Sequence, residues 1–309
     1  MSKNKKIVFF GTPDFSLPPL KTLYLGGYEI VGIYTQQPKK KSRGMKITKT
    51  PVHEWAESQL LPVFTPSTID SNSLEEFKSL KPDIAILFAF GKIIPQSWLD
   101  TPLFGFVNIH ASLLPKWRGA APVQRAIENN DLKTGITIMK MNNKLDEGPI
   151  LKTKEIEITP TMNGKDLISL ISTESCSFLF QILKNYFNGV IPLTEQDTSQ
   201  ATYAHKIRKD ECEIKWSESS LKINQKIKAF YPYPSMWFSF EGKRYKALKA
   251  NLKEISGEPG TIIDNDLTIA CGQGSIKIEE IQVEGKAKIN SREFLLGYKN
   301  FQVGKKLNV

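Results

Sequence analysis

The chain has 309 residues, which is long for one core and comfortable for two domains. Apolar residues make up 40% and charged residues 24%, the balance of an ordinary soluble protein, and the formal net charge is +10. The apolar run Ile7 to Phe10 is too short for a signal-peptide core, and no other segment approaches a membrane span, so a cytoplasmic protein away from the membrane is expected. Cys176, Cys212 and Cys271 are dispersed and form no Cys-x-x-Cys pair, which argues against a disulfide framework and against structural zinc. The last third of the chain supplies more than half of the basic excess; such an excess favours polyanionic partners without identifying one.

The run KKIVFF (5–10) reads as a buried parallel strand ending at Gly11-Thr12, followed by a short helix after Asp14. YEIVGIYT (28–35) is a second strand, and the basic stretch after it has no apolar period. Pro51 to Leu60 predicts a helix, and Ser71-Asn72-Ser73 is placed to cap another with Leu74, Phe77 and Leu80 on one face. DIAILFAF (83–90) is apolar almost throughout, as a strand covered on both faces must be. Phe106 to Ile109 and Thr134 to Met141 are further strands, with a helix at Ala121 to Asn129 between them. This alternation predicts an α/β domain with a mainly parallel sheet. Asn163 to Phe187 then reads as one long helix closed by Asn188-Gly189, and the polar, turn-rich residues after it as a linker. The remainder changes character: SMWFSF, YKALKA, GTIIDN, LTIACG and SIKIEEIQV are short strand-like runs separated by glycines and turns, a pattern that suits a small β-barrel.

Ligands of open α/β sheets bind beyond the carboxyl ends of the strands. Gly11-Thr12, Phe90-Gly91 and Asn108-Ile109-His110 fall there, without the Gly-x-Gly-x-x-Gly spacing of a dinucleotide site. Strand alternation puts Asn108 and His110 on one side, where an amide and an imidazole can address one carbonyl oxygen. Asp146, after the 134–141 strand, is a carboxylate able to orient that imidazole. Taken singly, an Asn-x-His is more often structural and an Asp-Glu-Gly more often a plain turn. Zinc lacks a second histidine at ligand spacing. A serine hydrolase acting through Ser112 lacks the Gly-x-Ser-x-Gly elbow.

The longer context changes the balance. Asn108-Ile109-His110-Ala111-Ser112-Leu113-Leu114-Pro115-Lys116-Trp117-Arg118-Gly119, then Thr134-Gly135, then Asp146-Glu147-Gly148 resemble in order and spacing the formyltetrahydrofolate-dependent formyltransferases. Within that superfamily the chain resembles the methionyl-tRNA formyltransferases over nearly its whole length. The likeness includes Phe10-Gly11-Thr12-Pro13-Asp14-Phe15, the basic loop around Arg43-Gly44, and Tyr203-Ala204-His205-Lys206-Ile207. The resemblance implies a Rossmann-like catalytic domain (1–189), a linker (190–205) and an OB-like β-barrel domain (206–309). It implies transfer of the formyl group of 10-formyltetrahydrofolate to the methionine amine of initiator tRNA, with no metal. It matches Asn108, His110 and Asp146 to the catalytic trio, Ser112, Leu113, Leu114 and Pro115 to a folate-contacting turn, and Phe88, Ala89, Phe90 and Gly91 to the pterin pocket. Lys39, Lys40, Lys41, Arg43 and Lys46 of the loop, with Lys206, Arg208 and Lys209 at the linker's end, are the expected tRNA contacts. The loop is richer in lysine than the family pattern, and Met45 stands where a basic residue is more usual. A monomer is expected. The rival readings are a formyltransferase acting on an amino-sugar nucleotide, a hydrolase sending formyl to water, and a non-catalytic tRNA-binding protein. The basic insertion weighs against the first two and the intact trio against the third.

Overall fold

The structure is a computed structural model that describes residues 5–41 and 46–307. Its strands, in chain order, are β1 (Lys6–Gly11), β2 (Glu29–Tyr34), β3 (Lys39–Lys41), β4 (Lys46–Thr48), β5 (Val63–Phe64), β6 (Ile84–Phe88), β7 (Phe106–His110), β8 (Arg118–Gly119), β9 (Lys133–Lys140), β10 (Ile150–Glu157), β11 (Tyr203–Ala204), β12 (Met236–Phe240), β13 (Lys243–Lys253), β14 (Thr268–Ala270), β15 (Ser275–Val283) and β16 (Lys288–Asn290). Its α-helices are α1 (Leu17–Leu25), α2 (Pro51–Ser58), α3 (Ser71–Ser79), α4 (Gln96–Leu99), α5 (Pro122–Glu128), α6 (Gly164–Phe187), α7 (Ser220–Ala229) and α8 (Ser291–Gly297).

The chain divides into two compact units. The first is built from the residues through Pro122, Lys133–Glu157 and Ile168–Ala204; the second takes Val123–Leu132, Ile158–Leu167 and the chain from His205 onward. The first unit holds a seven-stranded sheet in the order β10-β9-β7-β6-β1-β2-β5. The five strands from β5 to β7 run parallel, while β9 and β10 are antiparallel to their neighbours. β6, an unbroken apolar run, and β7, which carries Asn108 and His110, are buried at every position, as strands covered on both faces are. Phe10, Tyr34, Phe77, Phe90, Trp98 and Phe106 form an aromatic core on one side of the sheet. In it Phe77 and Trp98 stack with centroids 4.5 Å apart.

Several local features differ from the expectations. Asp70, not Ser71, caps α3: its carboxylate accepts from the Asn72 and Ser73 amides, and Ser73 returns the capping contact. An ionised oxygen satisfies those amides better than a hydroxyl does. Within the basic stretch β3 and β4 pair antiparallel, with Lys39 opposite Thr48 and Lys41 opposite Lys46. Backbone pairing needs no apolar period, so hydropathy is silent about it. The segment after α6 is also paired: Thr194 bridges Ile150, and β11 runs parallel to β8. Finally, α6 with 24 residues is long and apolar enough to cross a membrane by length and composition, contrary to the expectation that no segment approaches a span. Ile171, Leu179, Ile182 and Leu183 are buried along it, and Phe180 and Phe187 meet Tyr28. The helix is thus apolar because one stripe faces a protein core.

The second unit holds a five-stranded antiparallel sheet, β12-β13-β15-β14 with β16 on β15. Alternation along β12 and β15 buries Met236, Phe238, Phe240, Ile276, Ile278 and Ile281. Helix α7 packs on β13 and α8 on β15. Tyr245 lies at the centre, stacked on Phe238 and edge-on to Phe294 and Phe301. The run 260–265 is not a strand; it contributes only bridges at Thr261 and Ile262.

Candidate active site

Sheet register brings the predicted residues together. Leu87 of β6 is paired with Asn108 of β7, so both strands leave the sheet at the same level. Gly11 ends beside Phe88. Asn108 and His110 are two apart in extended backbone and therefore share a face. Both are nearly buried. On the other side of β7, His110 is opposite Thr137 of β9.

Asp146 reaches this strand end from the loop after β9. Its Oδ1 lies 3.4 Å from Asn108 Nδ2 and its Oδ2 lies 3.6 Å from His110 Nδ1. The same Oδ2 accepts from the Gly119 amide at 2.8 Å. His110 Nε2 lies 2.9 Å from the Trp117 carbonyl oxygen, to which it donates when protonated. Both ring nitrogens thus face oxygen acceptors. The 3.6 Å separation exceeds a hydrogen bond, so a proton on Nδ1 is not committed to the carboxylate.

Two glycines show why the loop can approach. A Cβ on Gly148 would lie 1.9 Å from the Lys140 carbonyl oxygen, a backbone atom that cannot yield. The bare glycine lets the 146–148 loop sit against the end of β9. Gly119, at φ +120°, would bring a Cβ to 2.8 Å from the Ala204 carbonyl oxygen. Asp146 itself has φ +52°, a left-handed conformation that aspartate tolerates better than most residues.

The turn 112–116 is closed by hydrogen bonds. Ser112 Oγ donates to the Lys116 carbonyl at 2.6 Å, and the Lys116 amide donates to Leu113 O at 3.0 Å. Thr137 ties this turn to the sheet: its hydroxyl donates to Ser112 O at 2.7 Å and accepts from the Leu114 amide at 3.0 Å. Leu114 is buried, Leu113 and Pro115 are partly exposed, and the Leu114–Pro115 peptide is cis. In the 88–91 segment Phe88 is buried and meets Phe15 edge-on, while Phe90 points its ring into the aromatic core. What Phe90 offers at the strand end is backbone, and its carbonyl accepts from Thr12 Oγ1 and Gln36 Nε2. Ala89 (φ +55°) and Gly91 (φ +79°) turn the chain away from β6.

Sequence reasoning passed over Thr137 and Gln196. Thr137 is hidden in an apolar strand, where only its position opposite His110 marks it. Gln196 lies in the turn-rich linker, where nothing local marks it. Its Nε2 donates to the carbonyls of both Asp146 and Gly148 at 2.8 Å. Its Oε1 accepts two hydrogen bonds from Arg118, at 3.1 and 2.9 Å. Arg118 is 1% exposed and also pairs with Glu147 at 3.4 Å.

Of the expected tRNA contacts, Lys39, Lys206, Arg208 and Lys209 are exposed. Lys39 lies on β3 and donates to Gln36 at 3.3 Å. Arg208 is paired with Asp210 at 3.1 Å. Arg43 and the side chains of Lys40, Lys41 and Lys46 lie outside the described residues. Among the described residues no three His, Cys, Asp or Glu side chains are grouped to hold a metal ion.

Residues 5–183 match the formyl transferase family, and residues 206–299 match the formyl transferase C-terminal domain. The methionyl-tRNA formyltransferase of Pelagibacter ubique is 47% identical over 95% of this chain and 96% of its own length. Among solved structures, HypX from Aquifex aeolicus in complex with tetrahydrofolic acid has a similar fold (TM-score 0.68, 16% identity). The match covers 98% of this chain but only 50% of HypX, so this chain spans about half of it. Methionyl-tRNA formyltransferase from Clostridium thermocellum superposes with TM-score 0.55 at 17% identity, over 81% of this chain and 94% of that one. The chain belongs to the formyl transferase family, among the methionyl-tRNA formyltransferases.

Proposed function

We propose that the chain transfers the formyl group of 10-formyltetrahydrofolate to the methionine amine of initiator tRNA, with Asn108, His110 and Asp146 as its catalytic residues. The observation that carries this reading is the convergence of an amide, an imidazole and a carboxylate on one strand end, in a chain closely similar to an enzyme of that name. The uncharged amine attacks the formyl carbon, and a new C–N bond forms as the carbonyl electrons move to oxygen. One N–H of Asn108 and the imidazole of His110 stabilise that oxyanion. Asp146 holds the imidazole in place through the attraction at Nδ1. Collapse of the tetrahedral species breaks the bond to the folate nitrogen. That nitrogen gains a proton while the attacking amine loses one, and His110 is placed to relay it.

The folate lies against the 112–115 turn and the 88–91 segment. Leu114 and Phe88 supply apolar wall, and the peptides after β6 supply polar edges, the combination a flat heteroaromatic ring requires. The tRNA is held by basic surface at Lys206, Arg208 and Lys209. β13, which carries the exposed Lys243, Arg244, Lys249 and Lys253, extends the same character over the second unit. Arg43 and the lysines of the basic loop address the acceptor end. The protein acts in the cytoplasm as a monomer.

Turnover of His110→Ala with 10-formyltetrahydrofolate and methionyl initiator tRNA tests the reading. A loss on the order of a hundredfold or more is expected, the scale of removing one oxyanion or acid–base group. Folate affinity should be retained. Normal turnover by the folded variant contradicts the assignment.

A further inference from the structure

We infer that Gln196 is a positioning residue for Asp146, and that the segment after α6 therefore builds one wall of the catalytic site. The inference rests on the proposed role of Asp146 and adds a residue to it.

Three consecutive residues converge on the trio. The Trp117 carbonyl faces His110 Nε2, the Gly119 amide donates to the Asp146 carboxylate, and Arg118 between them turns its guanidinium away to Gln196 and Glu147. Residues 194–204 hold this strip from behind. Thr202 Oγ1 accepts from the Trp117 amide at 2.9 Å, and β11 pairs with β8. Gln196 closes the arrangement, because its two ends do different work. The carboxamide nitrogen spans the Asp146 and Gly148 carbonyls, while the carboxamide oxygen is gripped by a guanidinium that has no access to water. A backbone at φ +52° relaxes to commoner values unless its surroundings hold it. Gln196 supplies the side-chain part of that hold on the loop's carbonyls, fixed in orientation because only nitrogen can donate to the two carbonyls and only oxygen can accept from arginine. If the Asp146 peptide relaxes, the carboxylate leaves Gly119 and His110 together.

The test compares Gln196→Ala and Gln196→Glu with wild type. Glutamate still accepts from Arg118, but its second carboxylate oxygen faces the two carbonyls to which it cannot donate, so it keeps the arginine pairing and turns the hold on the loop into repulsion. Both variants are expected to lower kcat about tenfold to a hundredfold, with unchanged folate affinity and KM for tRNA. On an Asp146→Asn background the same substitutions should cost almost nothing further, since residues acting as a unit are not additive. Independently of any substrate, the NMR ring-proton signals of His110 should shift in both variants while those of His53 and His205 stay. Full kcat in Gln196→Glu, additive losses in the double variant, or unmoved His110 signals each overturn the inference. Wild-type protein that formylates no tRNA overturns the functional reading instead, and leaves the His110 signals to decide this one.

Discussion

Thr137 makes two hydrogen bonds with one hydroxyl, donating to Ser112 O and accepting from the Leu114 amide, in a fully buried position. Thr137→Val keeps the shape and removes both, leaving a buried amide and carbonyl without partners, a cost of about 1–3 kcal/mol per group. The damage falls on the 112–116 turn, so folate affinity measured by calorimetry is expected to drop about tenfold or more. Leu114→Asp should weaken it further by placing an unpaired charge in an apolar wall. Unaltered affinity in both variants would remove the turn from the folate site. Gly148 belongs to the same scale. An alanine there meets a backbone oxygen with nowhere to move, so Gly148→Ala should destabilise the fold by about 1–3 kcal/mol in thermal unfolding. Asp146 and Gly148 stand out in the sequence as a motif; the reason for the glycine, close approach to a carbonyl on another strand, is not a local property and could not be read there.

Four of the five parallel strands, β1, β2, β6 and β7, and the long helix were legible because burial on both faces, or along one stripe, writes itself into hydropathy over many residues. β10, whose burial is irregular, and the two-residue β5, β8 and β11 left no such trace. The cysteines give an element-level prediction. Burial pushes the Cys271 thiol, just after β14, up to about 12. Burial, with Glu211 and Asp210 nearby, raises that of Cys212. Because the thiolate is the reactive form, both should resist a thiol reagent at neutral pH in the native protein and react on unfolding, leaving the partly exposed Cys176 as the fast site. Rapid native labelling of Cys271 would contradict the packing of that strand. A second element-level prediction concerns Glu211. Burial acts to raise its pKa, but hydrogen bonds from Arg125 and the Arg208 amide outweigh burial and hold the carboxyl below its ordinary 4.5. A depressed folded value means that the stabilisation is complete above 4.5 and is lost as pH falls through that lower value. Glu211→Gln should therefore lower stability by about 1 kcal/mol near neutrality. The difference from wild type should vanish in acid, as melting temperatures across the acid range would show.

At the scale of the molecule, the basic excess and the chemistry fall to different parts of the chain, and the family resemblance is what joined them. Arg208 is already engaged with Asp210, so Lys206 and Lys209 are the better electrostatic partners for a phosphate backbone. Replacing each with alanine should flatten the salt dependence of tRNA binding, by roughly 0.7–0.9 log units for every phosphate that is no longer neutralised, with folate binding unchanged. An unaltered slope would place the tRNA elsewhere.

The central claim is most directly measured by kcat/KM for formylation with 10-formyltetrahydrofolate and three acceptors in parallel: methionyl initiator tRNA, a charged elongator tRNA and an amino-sugar nucleotide. The proposed function predicts formyl on the methionine amine of initiator tRNA, with the other two far behind. Preferential formylation of the sugar nucleotide, or release of formate without an acceptor, would contradict it.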